Sequence, residues 1–596
     1  MARWIRIAAF MGGLYILTGA AHAMQSPGTA AGEAGRVPLI QFSADDYEAH
    51  VQNWAARRLY DGTMVFANTS GVLTFDGTRW QTLPTPNGSL VRSLAQDTTG
   101  RVYVGAQGEL GYLAPDSLGV LRYVSLMSHV PNRDRAFGNV WATVHTSAGV
   151  FFQTNQRLFQ WVSGRDTMRI QRSAARFVHA FAVRDTLYVA EAGTGLLRHT
   201  ANGTLDPVPG TDALSDDRVT VVLPMGPRDL LIGTMDRGLF RYDGRTLQPF
   251  PTAANALLRE HVLYRGVALP EGRFAFATLR GGVLILRDDG PIERVIDTQE
   301  GLRDNTVTNL FADGEGGLWL TLNDGIARAD WPAPFTSFGE ANGLTGIVED
   351  IARHDGRLYA ATNRGLFVLS SAPGRAARFT PLPSPPTDCR SLLSVASDLL
   401  AGCGDGLYRI RGTNAVPMFE SSSIRALAPA PFDSALVLAG DSDGLRRVER
   451  RGDRWVSAGH VAGLNQSVST IAFAPDGAVW AGLTPEGVAR VRNVTAPAPE
   501  VTGFRSGERG LPPGGVYLAR GTEHPLFLTD TGLYRHLAGP DGTTSFQPDT
   551  RFGPAFAGAP DGSPGRSALV AQADAQGNVW MFAWPDVGVA RRQPDG

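Results

Sequence analysis

The chain has 596 residues, of which 43% are hydrophobic, 9% aromatic and 19% charged, and its formal net charge is −2. That length exceeds one ordinary domain, and the near-average composition excludes a disordered chain. The small net charge leaves no electrostatic footprint for nucleic acid or an anionic membrane. All 55 basic residues are Arg. The absence of Lys excludes Schiff-base, phosphate-loop and kinase-type strand-Lys chemistry.

The N-terminus reads as an address. Arg3 and Arg6 precede an apolar run over residues 7–17, and Ala21-His22-Ala23 closes it with the small-residue pattern of a cleavage site. This order predicts a secretory signal peptide over residues 1–23; an uncleaved anchor is the alternative. No Cys follows for lipoprotein anchoring, and no second apolar stretch has transmembrane length. The chain is therefore expected in the periplasm or cell envelope.

The rest repeats one unit: an apolar strand, an Asp/Gly turn, a strand with Trp or Tyr, then Gly-Leu or Gly-Val opening a third strand. Residues 306–328, 347–368 and 468–490 are clear copies. The register glycine falls at Gly71, Gly108, Gly195, Gly238, Gly282, Gly325, Gly365, Gly406, Gly444, Gly487, Gly532 and Gly588. Gly238 to Gly282 is 44 residues and Gly325 to Gly365 is 40; a weaker copy at residues 150–159 fills the gap before Gly195. Thirteen units result, each with three or four short alternating strands and no convincing helix. One such sheet cannot bury both faces alone, whereas radial stacking does so. The fold class is all-β, with two consecutive β-propellers of six or seven four-stranded blades each; a β-solenoid is the alternative, with rungs usually shorter than these.

Trp331-Pro332-Ala333-Pro334 interrupts the pattern, so the first propeller is expected over residues 24–335 and the second over 336–596. Residues 37–43 form a lone apolar strand before the first full unit, and the last unit lacks a fourth strand. The chain ends are therefore expected to share a blade, unless the missing strand lies beyond Gly596. Cys389 and Cys403 sit on two short apolar runs about one turn apart. A disulfide and two buried free thiols are both open.

Few motifs carry chemistry. Gly440-Asp441-Ser442-Asp443-Gly444 matches a nucleophile-elbow pattern but lies in a strand-to-strand turn, without the strand–turn–helix setting an elbow needs. Asp313-Gly314-Glu315 and Asp441-Ser442-Asp443 read as hairpin turns rather than calcium loops. Scattered His residues make no zinc pattern, so neither metal nor cofactor is expected. Trp319, Tyr359, Trp480 and Trp580 recur at one place in the unit and read as sheet packing. In an up–down sheet, the interblade loops and the loops between second and third strands emerge on one face, where ligands usually bind. That face carries Arg133 and Arg135 in the long loop 129–139, Arg237, Arg280, Arg303, Asp324 and Arg364. Arg suits bidentate recognition of carboxylate or sulfate, so an acidic saccharide fits; solvated loop charges are the bland reading.

Gly71-Val72-Leu73-Thr74-Phe75-Asp76-Gly77 and Gly238-Leu239-Phe240-Arg241-Tyr242-Asp243-Gly244 resemble the two-component regulator propeller repeat. So do Glu300-Gly301-Leu302-Arg303-Asp304-Asn305 and Gly316-Gly317-Leu318-Trp319. Gln52-Asn53-Trp54, Phe66-Ala67-Asn68, Val91-Arg92-Ser93-Leu94 and the run from Tyr103 to Tyr112 resemble the start of a subgroup of these sensors. The resemblance covers nearly all of the chain after the leader. It implies a periplasmic double-propeller sensor, normally followed by an Ig-like triple-tyrosine domain, a membrane helix and a histidine kinase or helix-turn-helix output. It also implies carbohydrate fragments as ligands and often a homodimer. Gly596 precedes any such downstream domain, so the chain reads as a fragment or as a stand-alone exported propeller. The rival readings are a propeller glycosidase or polysaccharide lyase, using loop-face carboxylates drawn from different blades, and a free interaction scaffold.

Overall fold

The computed structural model describes residues 3–5, 30–383, 386–538, 543–553, 556, 570–583 and 586–592. Most of the expected signal peptide, including its cleavage point after Ala23, lies outside them. Among the described residues no helix is long and apolar enough to cross a membrane.

The described residues form thirteen four-stranded antiparallel sheets. They divide into two compact units: residues 34–337 with 371–376, and residues 338–370 and 377–596 with the N-terminal stretch. The first unit has seven blades and the second six.

Blade 1 shows the pattern: Asn53–Arg58, Met64–Asn68, Gly71–Phe75 and Trp80–Leu83 pair in chain order. The middle strands are almost wholly buried because a neighbouring blade covers each face. Seven hydrophobic clusters fill the seven gaps of the first ring, one between each pair of neighbouring blades.

The seventh gap closes the circle. Blade 7 comprises Val307–Ala312, Gly317–Leu322 and Ile326–Asp330, and its outer strand is Leu39–Phe42 from the start of the domain. The lone strand expected at residues 37–43 thus completes the first ring rather than joining the last unit. Trp319 of blade 7 lies beside Phe66 of blade 1 with centroids 5.5 Å apart, and stacks on Phe42 at 6.3 Å. The final blade, Val570–Ala573, Val579–Ala583 and Asp586–Ala590, takes Arg3–Ile5 as its outer strand. The lone strand thus closes the first ring, while the strand that the last unit lacks comes from within the expected leader and would be lost on its cleavage.

The register glycines have a common geometry. Gly406 begins a third strand with φ 151°, and a Cβ there would come 2.3 Å from the Phe419 carbonyl oxygen on the fourth strand. Only glycine lets the two strands approach so closely. The weak third unit lacks this residue: its third strand, Arg157–Val162, opens on Arg157. Gly588 sits inside Asp586–Ala590 rather than at its start. Two short helices, Ala44–Tyr47 and Ala254–Glu260, depart from the all-strand expectation. Ala254–Glu260 buries Ala254 and Leu258, while Asn255 Oδ1 accepts the Leu239 N–H at 2.8 Å. The helix thereby caps a blade edge.

Trp319 and Trp480 pack between neighbouring sheets. Trp480 is 1% exposed among Phe504, Phe527 and Phe546. Trp319 Nε1 donates to Asp313 at 3.2 Å and Trp580 Nε1 to Asp574 at 3.1 Å, so each Asp/Gly turn also anchors the aromatic residue of the next strand. Trp319→Ala should cost about 3–5 kcal/mol, the range for large aromatic deletions. A drop in thermal midpoint is the measurement, and an unchanged midpoint would show that the seventh gap does not hold the ring.

Candidate functional site

The first strand of each blade lines the ring axis, and its start lies on the face from which the interblade loops emerge. In six of the seven blades of the first ring, the pairing of first and second strands slips by one residue near that start. The skipped residues are Trp54, Arg92, Val178, Thr220, Tyr264 and Thr308. A bulge of this kind re-aims side chains and tightens twist. Five of the six skipped residues, including Trp54, Arg92 and Tyr264, line the axial spaces.

A channel of about 620 Å³ follows the axis and carries Arg57, Arg92, His145, His179 and Arg265. It shares Trp141, His179, Thr220 and Arg265 with a mouth of about 140 Å³, where Arg176, Arg218 and Tyr264 join them. Among the described residues, no Asp or Glu lines either space.

The arginines are held by rings and carbonyls instead of by acids. The Arg92 guanidinium lies 3.7 Å from the Trp54 ring centroid and 5.2 Å from that of Trp141. Arg265 lies 4.3 Å from the Tyr264 ring, and Arg57 lies 5.9 Å from that of Phe311. Arg57 donates to the Ala56 carbonyl at 2.7 Å and Arg265 to that of Tyr264 at 2.8 Å, while the buried Nε of Arg92 has no partner. Burial lowers Arg57 to about 10, which leaves it charged at neutral pH. Arg92 and Arg265 are also lowered by burial. His179 is pushed well below its ordinary value by burial and then by the Arg265 charge, so it is neutral. Desolvated cations without counter-charges raise the free energy of the empty site, and an anion entering it relieves that cost.

The residues expected from sequence lie elsewhere. Arg133 is exposed and 3.5 Å from Asp134, and Arg135 Nε donates to the Val130 carbonyl at 2.9 Å. Asp134 organises their loop. It is 1% exposed and grips Arg157 at 3.0 Å and Arg172 at 2.7 Å. Burial would raise its carboxyl, but those two arginines outweigh it and hold the group below the usual range. Arg237 pairs with Asp217 at 2.6 Å and covers Phe240. Arg303 and Asp324 come together at 3.2 Å. Arg280 and Arg364 are exposed. None of these seven lines the channel. One sequence signal pointed closer: Arg176 and Arg218 each immediately precede the first strand of a blade.

Cys389 and Cys403 are joined in a buried disulfide with Cα atoms 3.9 Å apart. The turn after Leu436–Asp441 leads into the strand Gly444–Arg451, so Ser442 occupies no elbow. Asp441, Asp443 and His460 lie within ligating reach of one another, yet Arg446 at 2.9 Å and His460 at 2.9 Å already hold the buried Asp441 carboxylate.

No family model matches the sequence, and comparison with curated proteins finds no match. Among solved structures, the chain is similar to the extracellular domain of a hybrid two component system from B. thetaiotaomicron. The two share 15% identity with a TM-score of 0.60, over 94% of this chain and 83% of that one. An extracellular domain of a one component system from the same organism aligns over 94% of this chain and 84% of its own, at 14% identity and TM-score 0.39. The first of these likenesses establishes the fold: consecutive β-propellers of the kind that form such extracellular domains.

The lowered His179 sets a pH dependence. Its neutral form is favoured in the folded chain, so stability is present above the unfolded value of about 6.5 and is lost as pH falls below it. His179→Gln should flatten the decline in thermal midpoint between neutral and mildly acid pH by up to one proton's worth, about 1.4 kcal/mol per pH unit. A decline of unchanged slope would show that the group is not buried neutral.

Proposed function

We propose that this chain is the exported, ligand-sensing region of a signalling protein of the two-component type, and that the first propeller's channel binds an acidic carbohydrate fragment. The single observation that carries the ligand class is the convergence of Arg57, Arg92, Arg176, Arg218 and Arg265 with Trp54, Trp141 and Tyr264, in a space with no carboxylate. Guanidinium groups match carboxylate and sulfate geometry, and flat aromatic faces suit the apolar faces of sugar rings. The leader-like N-terminus and the fold shared with an extracellular sensor domain support export and a membrane-anchored histidine kinase or helix-turn-helix output.

A lyase is the second reading. The neutral His179 beside Arg265 provides a base next to a carboxylate-binding cation, which is what elimination from a uronic acid requires. Paired-carboxylate hydrolysis has no acid to use in this channel.

Titration calorimetry with uronate and sulfated oligosaccharides tests both readings. Binding is expected for acidic but not neutral oligomers. Arg265→Ala and Arg92→Ala should each weaken it about 10- to 100-fold, the value of a charge-assisted hydrogen bond of 1.5–3 kcal/mol. Accumulation of an unsaturated uronate product would move the assignment to the lyase. Binding of neutral sugars alone, untouched by either variant, would remove the channel as the site.

A further inference from the structure

The mouth of the channel continues sideways. A surface groove of about 640 Å³ crosses the top of blade 3, between the interblade segment 136–139 and the turn 154–156, and it shares Asn155 and Arg176 with the mouth. Groove, mouth and channel therefore form one path that bends from the surface down the axis. The mouth alone, at about 140 Å³, is well below the 300–1,000 Å³ of ordinary ligand clefts. It suits an acidic substituent rather than a whole ligand.

The two ends of the path differ in chemistry. The channel holds unpaired cations, whereas Arg157, which borders the groove, is already neutralised by Asp134 at 3.0 Å. Apart from Arg176, which it shares with the mouth, the groove offers neutral polar groups. Asn139, which lines it, has a buried Oδ1 with no hydrogen-bond partner, and Asn155 and Gln156 stand on the opposite bank. The exposed side-chain amides of Asn155 and Gln156 can exchange hydrogen bonds with sugar hydroxyls.

From this continuity we infer that the groove over blade 3 is a second subsite, which takes the neutral or distal rings of a linear acidic oligosaccharide whose charged end enters the channel. Recognition is then end-on: the terminal acidic residue sits among Arg92, Arg265 and His179, and the following residues leave past Arg176 towards Gly138. The inference rests on the channel reading above. Affinity should rise with chain length while the groove fills and then level off. A polymer without a free end has no way in.

Gly138 makes the test clean. A Cβ there meets nothing within 4 Å, and its φ is outside the left-handed region, so Gly138→Trp fills the groove without straining the loop. Calorimetry on the full chain would compare a uronate monosaccharide with its tetramer. Gly138→Trp is expected to weaken the tetramer about tenfold and leave the monosaccharide unchanged. Gln156→Ala should act in the same direction. Arg265→Ala should weaken both ligands. If Arg265→Ala weakens both while Gly138→Trp leaves the tetramer unaffected, the groove is not a subsite and the channel reading stands. If Arg265→Ala has no effect on either ligand, the channel reading itself fails. Equal loss of both ligands in Gly138→Trp would mean that the substitution acts on the channel, and would overturn the division into two subsites.

Discussion

A four-stranded sheet has two apolar faces and can bury neither by itself. Each blade needs a neighbour on both sides, and a row of blades has two unprotected ends until it closes on itself. The closing contact in the first ring is therefore the one on which the others depend. It is made by chain segments far apart in sequence: Leu39–Phe42 pairs with Ile326–Asp330, and Phe42, Phe66, Trp80 and Trp319 fill the last gap. Without that contact, the Trp319 face of blade 7 and the Phe66 face of blade 1 would both be exposed.

Closure also creates the axis. The first strands of the blades converge there, and their inner edges face no other sheet. The space is bounded by backbone, and slips in strand pairing turn bulky residues into it. In the first ring they include the cation Arg92 and the aromatics Trp54 and Tyr264, and none is an acid. Tight packing outside the axis makes the cations costly to hold unpaired, because the surrounding blades keep water from solvating them fully.

The second ring treats the same position differently. Its first blade carries Asp350 just after the slip in strand pairing, where the first ring has Arg265 in its sixth blade. Asp350 is 5% exposed and pairs with Arg520 at 2.7 Å, and Leu392 N–H donates to it at 2.8 Å. That charge is satisfied internally, so the pair contributes to holding its ring. The same scaffold position is paired in one propeller and unpaired in the other, depending on whether the chain supplies a counter-charge.

Much of the fold was legible in the sequence. Glycines such as Gly71 and Gly406 recur because a carbonyl on the next strand leaves no room for a Cβ, and Asp313 and Asp574 recur because each turn must anchor an indole. Local chemistry repeated at a fixed interval thus defined the unit and the number of units. The faint third copy had a local cause as well, since Arg157 stands at its register position. The same strand polarity placed the ligand-facing loops on one side of the ring.

The residues of the proposed channel site were not legible. Charged loop residues such as Arg237 and Arg303 attract notice in sequence, but in the folded chain Asp217 and Asp324 neutralise them. Arg92 and Arg265 lie inside apolar strands and look like ordinary alternation. Their role depends on slips in strand register and on having no acid nearby, and both are properties of pairs of segments rather than of any one segment. The sequence alone determined the repeating sheet, because its causes act within about forty residues. Only the closed tertiary structure decided which cations meet at the axis without a counter-charge, because that depends on seven blades brought together from across the domain.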